Sequence, residues 1–225
     1  MRQTYTGSQK PDRPGPDKRL RSPASARNIT PILEVMRRTM PAEGLALEIA
    51  SGTGEHCARF AAEFAGVTWL PTDVEPQRLD SIRAWIAAAD TTNVHPPQIL
   101  HAGQPDWPFD AGSMTLAVTV NLLHLISLEV TTALFAGIRR VLQPGGQWFL
   151  YGPFSRDGAF VSEGDKAFHL QLIRQNETIG YKDTKTVAAL ARQHDLTITA
   201  CHAMPANNLM YVLQAPGGAT TPGCQ

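Results

Sequence analysis

At 225 residues, with 43% apolar content, the chain is long enough for one domain with a sizeable core. Its formal net charge is zero, which argues against a protein that binds nucleic acid by neutralising phosphates, and no run of about eighteen apolar residues is present to cross a membrane. The three cysteines, Cys57, Cys201 and Cys224, are odd in number and share no metal-ligand spacing, so neither a disulfide framework nor a metal site is expected. Free thiols and the absence of an apolar leader lead to an expectation of a cytoplasmic protein.

Residues 1–21 carry Arg2, Lys10, Arg13, Lys18, Arg19 and Arg21 against Asp12 and Asp17, with three prolines and two glycines. Such a composition cannot build a core and predicts a flexible basic arm. Residues 22–215 then form the single expected domain. A helix starts near Ser22, carries Ile29, Ile32, Leu33 and Met36 on one face, and stops before Pro41.

The apolar run Leu45, Ala46, Leu47 and Ile49 predicts a first strand, and Ser51-Gly52-Thr53-Gly54 follows as a turn into a helix beginning at Glu55. Strand, glycine turn and helix open the ligand crevice of doubly wound α/β folds. A dinucleotide site asks for a third glycine where this chain has Cys57. Glu55 in the first helical turn would also compete with a pyrophosphate for the same backbone N–H groups. The turn therefore suits a nucleoside ligand without phosphates, and S-adenosylmethionine is the candidate. The competing reading is a tight turn that holds no ligand.

Val67-Thr68-Trp69-Leu70 predicts the second strand, which ends at Pro71-Thr72-Asp73, nineteen positions after Gly54. A carboxylate at that distance can accept both ribose hydroxyls; alternatively it caps the helix that opens near Pro76. That helix places Leu79, Ile82, Trp85 and Ile86 on one face, with Trp69, Trp85 and Trp148 all expected in the core. A short third strand, Gln98-Ile99-Leu100, precedes a loop over 103–113. The continuous run Leu116 to Val120 predicts a buried parallel strand ending at Asn121-Leu122-Leu123-His124. A helix to Leu142, the turn Gln143-Pro144-Gly145-Gly146, and a strand Trp148 to Tyr151 follow, then helices over 165–175 and 184–194. Leu196–Ala203 and Leu209–Gln214 form a last strand pair, and the Gly/Pro/Thr-rich residues 216–225 predict a disordered tail. Lys182, Asp183 and His194 are expected on the surface. Alternating elements of this kind give one mostly parallel, Rossmann-like α/β sheet with helices on both faces.

LEIASGTGEH, then PTD, then LQPGG before the fifth strand resembles a class I S-adenosylmethionine-dependent methyltransferase. SPASARN at 22–28, EIASGTGEH at 48–56, NLLHL at 121–125, LFAGIRRVLQPGG at 134–146, YGPFSRDG at 151–158 and MPANNL at 204–209 resemble, more closely, the methyltransferase-like protein 26 family. The resemblance implies seven strands in the order 3-2-1-4-5-7-6, the seventh antiparallel, and cofactor contacts at Gly52, Thr53, Gly54, Glu55 and Asp73. Glu48, Ser51, Asn121 and Leu122, at the same strand ends, join that cofactor set. The family's usual acid after the third strand is replaced by Leu100-His101-Ala102, so a neutral His101 is left to accept from adenine or stack on it.

On the acceptor side, His124 and Tyr151 are the candidate catalytic residues, and Asn28, Phe154, Asn207 and Asn208 the candidate substrate contacts. Arg27 is placed with the cofactor, as a bidentate partner for its methionyl carboxylate. Each has a plainer alternative: a satisfied core histidine, aromatic packing, or a turn made by paired asparagines. No Asn-Pro-Pro-Tyr or Asp-Pro-Pro-Tyr motif and no cysteine motif for pyrimidine C5 chemistry occurs, which tilts away from nucleic acid. The expected activity is direct methyl transfer to a small-molecule or protein acceptor, without metal. A cofactor-binding scaffold without transferase activity is the alternative, and a nucleotide-dependent oxidoreductase is disfavoured by Cys57 and Glu55.

Overall fold

The computed structural model describes residues 17–217. Most of the expected arm and tail, 1–16 and 218–225, lies outside the described residues. In chain order the elements are α1 (Pro23–Met36), β1 (Gly44–Ile49), α2 (Glu55–Glu63), β2 (Val67–Asp73), α3 (Pro76–Ala89), β3 (Gln98–Ile99), β4 (Met114–Val120), α4 (Leu128–Val141), β5 (Leu142–Ser155), α5 (Glu163–Gln175), β6 (Lys182–Asp183), α6 (Thr184–Gln193), β7 (Thr197–Ala203) and β8 (Asn208–Gln214). A 3-10 turn, Leu123–Leu125, links β4 towards α4.

The sheet runs β3-β2-β1-β4-β5-β8-β7, with the two-residue β6 paired to the end of β5. Pairings from β3 to β5 are parallel, and β8 is antiparallel to both β5 and β7. This is the expected strand order with one strand added: β6 is too short to leave a periodicity in the sequence. Alternation along each strand divides the core. Leu47, Ala117, Trp148 and Leu150 pack beneath α4 and α6, whereas Ala46, Val118, Phe149 and Tyr151 pack with α1 and α2. Two covered faces explain why β4 and β5 read as continuous apolar runs.

Two expectations about exposure change. Trp85 is only partly buried; its indole Nε1 donates to the Leu20 carbonyl at 2.8 Å, and the guanidinium groups of Arg19 and Arg21 lie 4.9 and 5.2 Å from its ring centroid. Residues 19–21 thus dock on α3 by cation–π contact, and Leu20 itself is buried. Lys182, expected on the surface, is also buried. Its ammonium donates to the Ile126 and Gly180 carbonyls at 2.6 and 3.0 Å, and burial pulls its pKa down to about 8.

Candidate functional site

The carboxyl ends of β1, β2 and β4 open onto one cavity of about 510 Å³, within the range of small-molecule sites. At the end of β1 the chain turns through Ala50 at φ 57°, and at the end of β4 through Asn121 at φ 57°. Positive φ is costly for a side-chain-bearing residue and collects at functional sites. The turn at Ala50 is tied to β2: Ser51 N–H donates to the Thr72 carbonyl at 2.8 Å, and Thr72 N–H donates back to Ser51 Oγ at 3.2 Å.

Asp73 organises the glycine turn. Its Oδ2 accepts from Gly52 N–H at 2.9 Å and its Oδ1 from Glu75 N–H at 3.1 Å, while the side chain lines the cavity. Burial pushes its carboxyl above the ordinary range, and the two N–H bonds pull the other way. The other turn donors are also engaged. Gly54 N–H donates to the Ser51 carbonyl at 3.0 Å, and Glu55 N–H reaches Thr53 Oγ1 at 3.5 Å. Three donors that a phosphate cradle would leave open are therefore spent on the protein.

Glu48 lies beneath this turn, 2% exposed, with Oε2 unpartnered. Burial raises its pKa to about 7, against the hydrogen bonds from the Ser51 hydroxyl and Cys57 thiol. The same burial pushes the Cys57 thiol well above its usual value, which makes it an inert packing group and not a nucleophile. A raised carboxyl pKa stabilises the protein fully below the unfolded value and loses that contribution as pH rises through the folded value. Glu48→Gln should therefore gain on wild type between about pH 4.5 and 7, by on the order of 3 kcal/mol, read as the difference in thermal stability at pH 4 and pH 8.

The opposite end of the cavity centres on His124, 6% exposed, with Nδ1 unpartnered. Burial first, and then the Lys182 ammonium, hold its pKa down to about 3. The ring is thus neutral near pH 7, able to orient a ligand but a weak general base. Its neighbours are Phe168, with ring centroids 5.7 Å apart, and Tyr181 at 6.3 Å. Tyr181 O–H donates to Asp165 at 3.3 Å, and both residues line the cavity.

Of the expected site residues, Arg27, Asn28, Glu48, Ser51, Gly52, Thr53, Asp73, Asn121, Leu122, His124 and Asn208 line this one cavity. Six do not. His101 is exposed and turned away, leaving Leu100 and Ala102 as the walls after β3. Gly54 packs on α3, where an added Cβ would lie 2.6 Å from Ile82 Cα. Glu55 projects outside the cavity, towards the charges of Arg21 and Arg59. Phe154 is core, edge-on to Tyr211 at 5.2 Å; Pro153 takes its expected place at the wall. Tyr151 is 1% exposed in the α1–α2 core, its hydroxyl unpartnered and its pKa raised by burial to about 12, with the Arg27 charge acting against that shift. Asn207 turns to Asp165 Oδ2 at 2.9 Å. Sequence reasoning missed His56, Asp165, Phe168 and Tyr181. His56, buried with its pKa lowered to about 4, directly follows Glu55 on the first turn of α2; the other three had no local signal.

A family profile described as "Protein of unknown function (DUF938)" matches residues 19–215. The chain belongs to the DUF938 family. Solved structures share its fold. An O-methyltransferase family protein from Burkholderia thailandensis superposes with a TM-score of 0.74 at 16% identity, covering 87% of this DUF938 chain and 58% of that one. Phosphoethanolamine N-methyltransferase 2 from Haemonchus contortus, in complex with phosphomonomethylethanolamine and S-adenosylhomocysteine, gives 0.66 at 16% identity, over 83% and 52% of the two chains. This chain thus spans a little over half the length of those two proteins. An S-adenosylmethionine-dependent methyltransferase from Methanosarcina mazei gives 0.60 at 14% identity, over 81% and 97%. The DUF938 chain therefore has the methyltransferase α/β fold.

Proposed function

We propose that this chain is a cytoplasmic S-adenosylmethionine-dependent methyltransferase of the methyltransferase-like protein 26 kind, acting on a small-molecule or protein acceptor. The carrying observation is the glycine turn, where the N–H groups of Gly52, Gly54 and Glu55 are bound internally while a buried carboxylate faces the cavity beside them. That arrangement refuses a pyrophosphate and suits ribose hydroxyls and a cationic amino-acid end. Asp73 would hold the ribose hydroxyls, and Leu100, Ala102 and Leu122 would wall the base. Glu48 would face the cofactor's ammonium, and Arg27 its carboxylate. When bound, the cofactor supplies an electrophilic methyl group on a good leaving group. The chain's share is to bind, orient and exclude water. Asn121 and His124 would orient the acceptor from the end of β4.

Support for the cofactor also comes from the fold partners from Haemonchus contortus and Methanosarcina mazei, by analogy of fold alone. The neutral His124 and the buried Tyr151 favour a second reading, a cofactor-binding scaffold without turnover, since neither is a strong base near pH 7. Calorimetry with S-adenosylhomocysteine, S-adenosylmethionine and NADH tests the cofactor; tight binding of NADH alone would reject it. Release of S-adenosylhomocysteine in the presence of a cell metabolite extract separates enzyme from scaffold.

A further inference from the structure

The far end of the cavity is assembled from segments remote in sequence: the turn bearing His124, the start of α5 with Asp165 and Phe168, Tyr181, and the first residue of β8, Asn208. The three rings form one group, Phe168 and Tyr181 being 6.1 Å apart and each near His124. A donor inventory of this end is lopsided. Asp165 accepts from three neutral groups: Tyr181 O–H at 3.3 Å, Asn207 Nδ2 at 2.9 Å and Ser162 O–H at 2.7 Å. Asn208 Nδ2 is spent on the Pro205 and Ala206 carbonyls, and Lys182 Nζ on those of Ile126 and Gly180.

What remains open is mostly acceptor. A carboxylate has about four lone-pair sites, so Asp165 keeps one. Asn208, 9% exposed, keeps its amide oxygen, and His124, 6% exposed, is a neutral ring with one donor and one acceptor nitrogen, of which the unpartnered Nδ1 is buried. A carboxylate or phosphate placed here would face oxygen lone pairs with almost no donor left to answer it. A ligand carrying N–H groups would be met on every polar side, with its carbon frame against aromatic faces that favour ammonium character. Two guanidinium groups stand along the cavity wall away from this end: Arg27, on α1 beside Tyr151, is taken by the cofactor's carboxylate in the reading above, and Arg78, on α3, lies by Glu75 and Asp73.

We propose that this end of the cavity takes a small amine, with its N–H groups on Asp165 and Asn208 and its carbon frame among Phe168, Tyr181 and His124. The inference rests on the cofactor reading, because it makes the amine the methyl acceptor. The bound ammonium first gives one proton to solvent; the freed nitrogen lone pair then forms the new N–C bond, and the C–S bonding pair leaves with sulfur.

Binding decides it. Protein saturated with S-adenosylhomocysteine is titrated by calorimetry at pH 7.5 with propylamine, ethanolamine and benzylamine, and in parallel with propanoate, glycolate and benzoate. At least one amine should bind about tenfold or more tighter than its carboxylate counterpart. Asp165→Asn should weaken that amine about tenfold while leaving S-adenosylhomocysteine affinity unchanged. Equal or tighter binding of the carboxylates, or no binding by either set, overturns the inference on wild-type protein alone, whether or not the variant folds. If S-adenosylhomocysteine itself does not bind, the cofactor reading has failed; if it binds and no amine is preferred, only the acceptor class has.

Discussion

Asp73→Ala should weaken S-adenosylhomocysteine binding by about 2–3 kcal/mol, roughly 30- to 150-fold in Kd, with a smaller loss of stability. Two contributions add. The first is direct: hydrogen bonds to a charged acceptor are each worth about 1.5–3 kcal/mol, and the ribose hydroxyls would lose theirs. The second is preorganisation. The same carboxylate holds Gly52 N–H at 2.9 Å and Glu75 N–H at 3.1 Å, so without it the turn over 51–54 and the entry to α3 lose their common anchor. Asp73→Asn keeps the volume and one carbonyl oxygen but points an N–H at one of those two donors, so it should fall between wild type and alanine. Calorimetry of the three proteins checks the order. An alanine variant that binds like wild type would reduce Asp73 to a cap on α3.

What the sequence made legible follows from range. The turn at 51–54 and Asp73 sit on consecutive strand ends, and their spacing is fixed by one strand-helix-strand unit, so sequence distance stands in for spatial distance. The core was legible for a similar reason: alternation along β1, β4 and β5 assigns each side chain to a face. That parity could also have corrected Phe154, which shares the face of Trp148 and Leu150, and Tyr151, which shares that of Phe149. His101 misled because β3 is only two residues long and exposed on both, so nothing there fixes which way the following residue turns. Asp165, Phe168 and Tyr181 were invisible for a different reason. They reach the cavity from α5, which buries only Leu172, and from the residue before β6, and they meet His124 only through tertiary packing. The half of the cavity at the ends of β1 and β2 is thus written locally, while the half around His124 is written in long-range contacts.

The two glycines of the turn should separate when each is replaced by alanine. Gly54→Ala should destabilise the fold by about 3 kcal/mol or more. Its φ of 90° disfavours any side chain, and the new Cβ would meet Ile82 Cα at 2.6 Å and Cγ1 at 3.0 Å. Ile82 is fully buried and the clash is with backbone, so relief requires α2 and α3 to move apart. Gly52 has φ 59°, but a Cβ added there would find its nearest neighbour, the Ala50 carbonyl oxygen, at 4.0 Å. Gly52→Ala should therefore cost only about 1 kcal/mol of stability. Its methyl would enter the cavity beside Asp73, so its main effect should be on S-adenosylhomocysteine affinity, by about tenfold or more. Thermal denaturation and calorimetry on both variants give the two readouts. Were Gly52→Ala to bind normally, the ligand would not approach this backbone, and the adenosyl site would have to lie elsewhere in the cavity. Were Gly54→Ala to lose binding at unchanged stability, Gly54 would be a ligand contact after all, and the packing of α2 against α3 would not be its reason for being glycine.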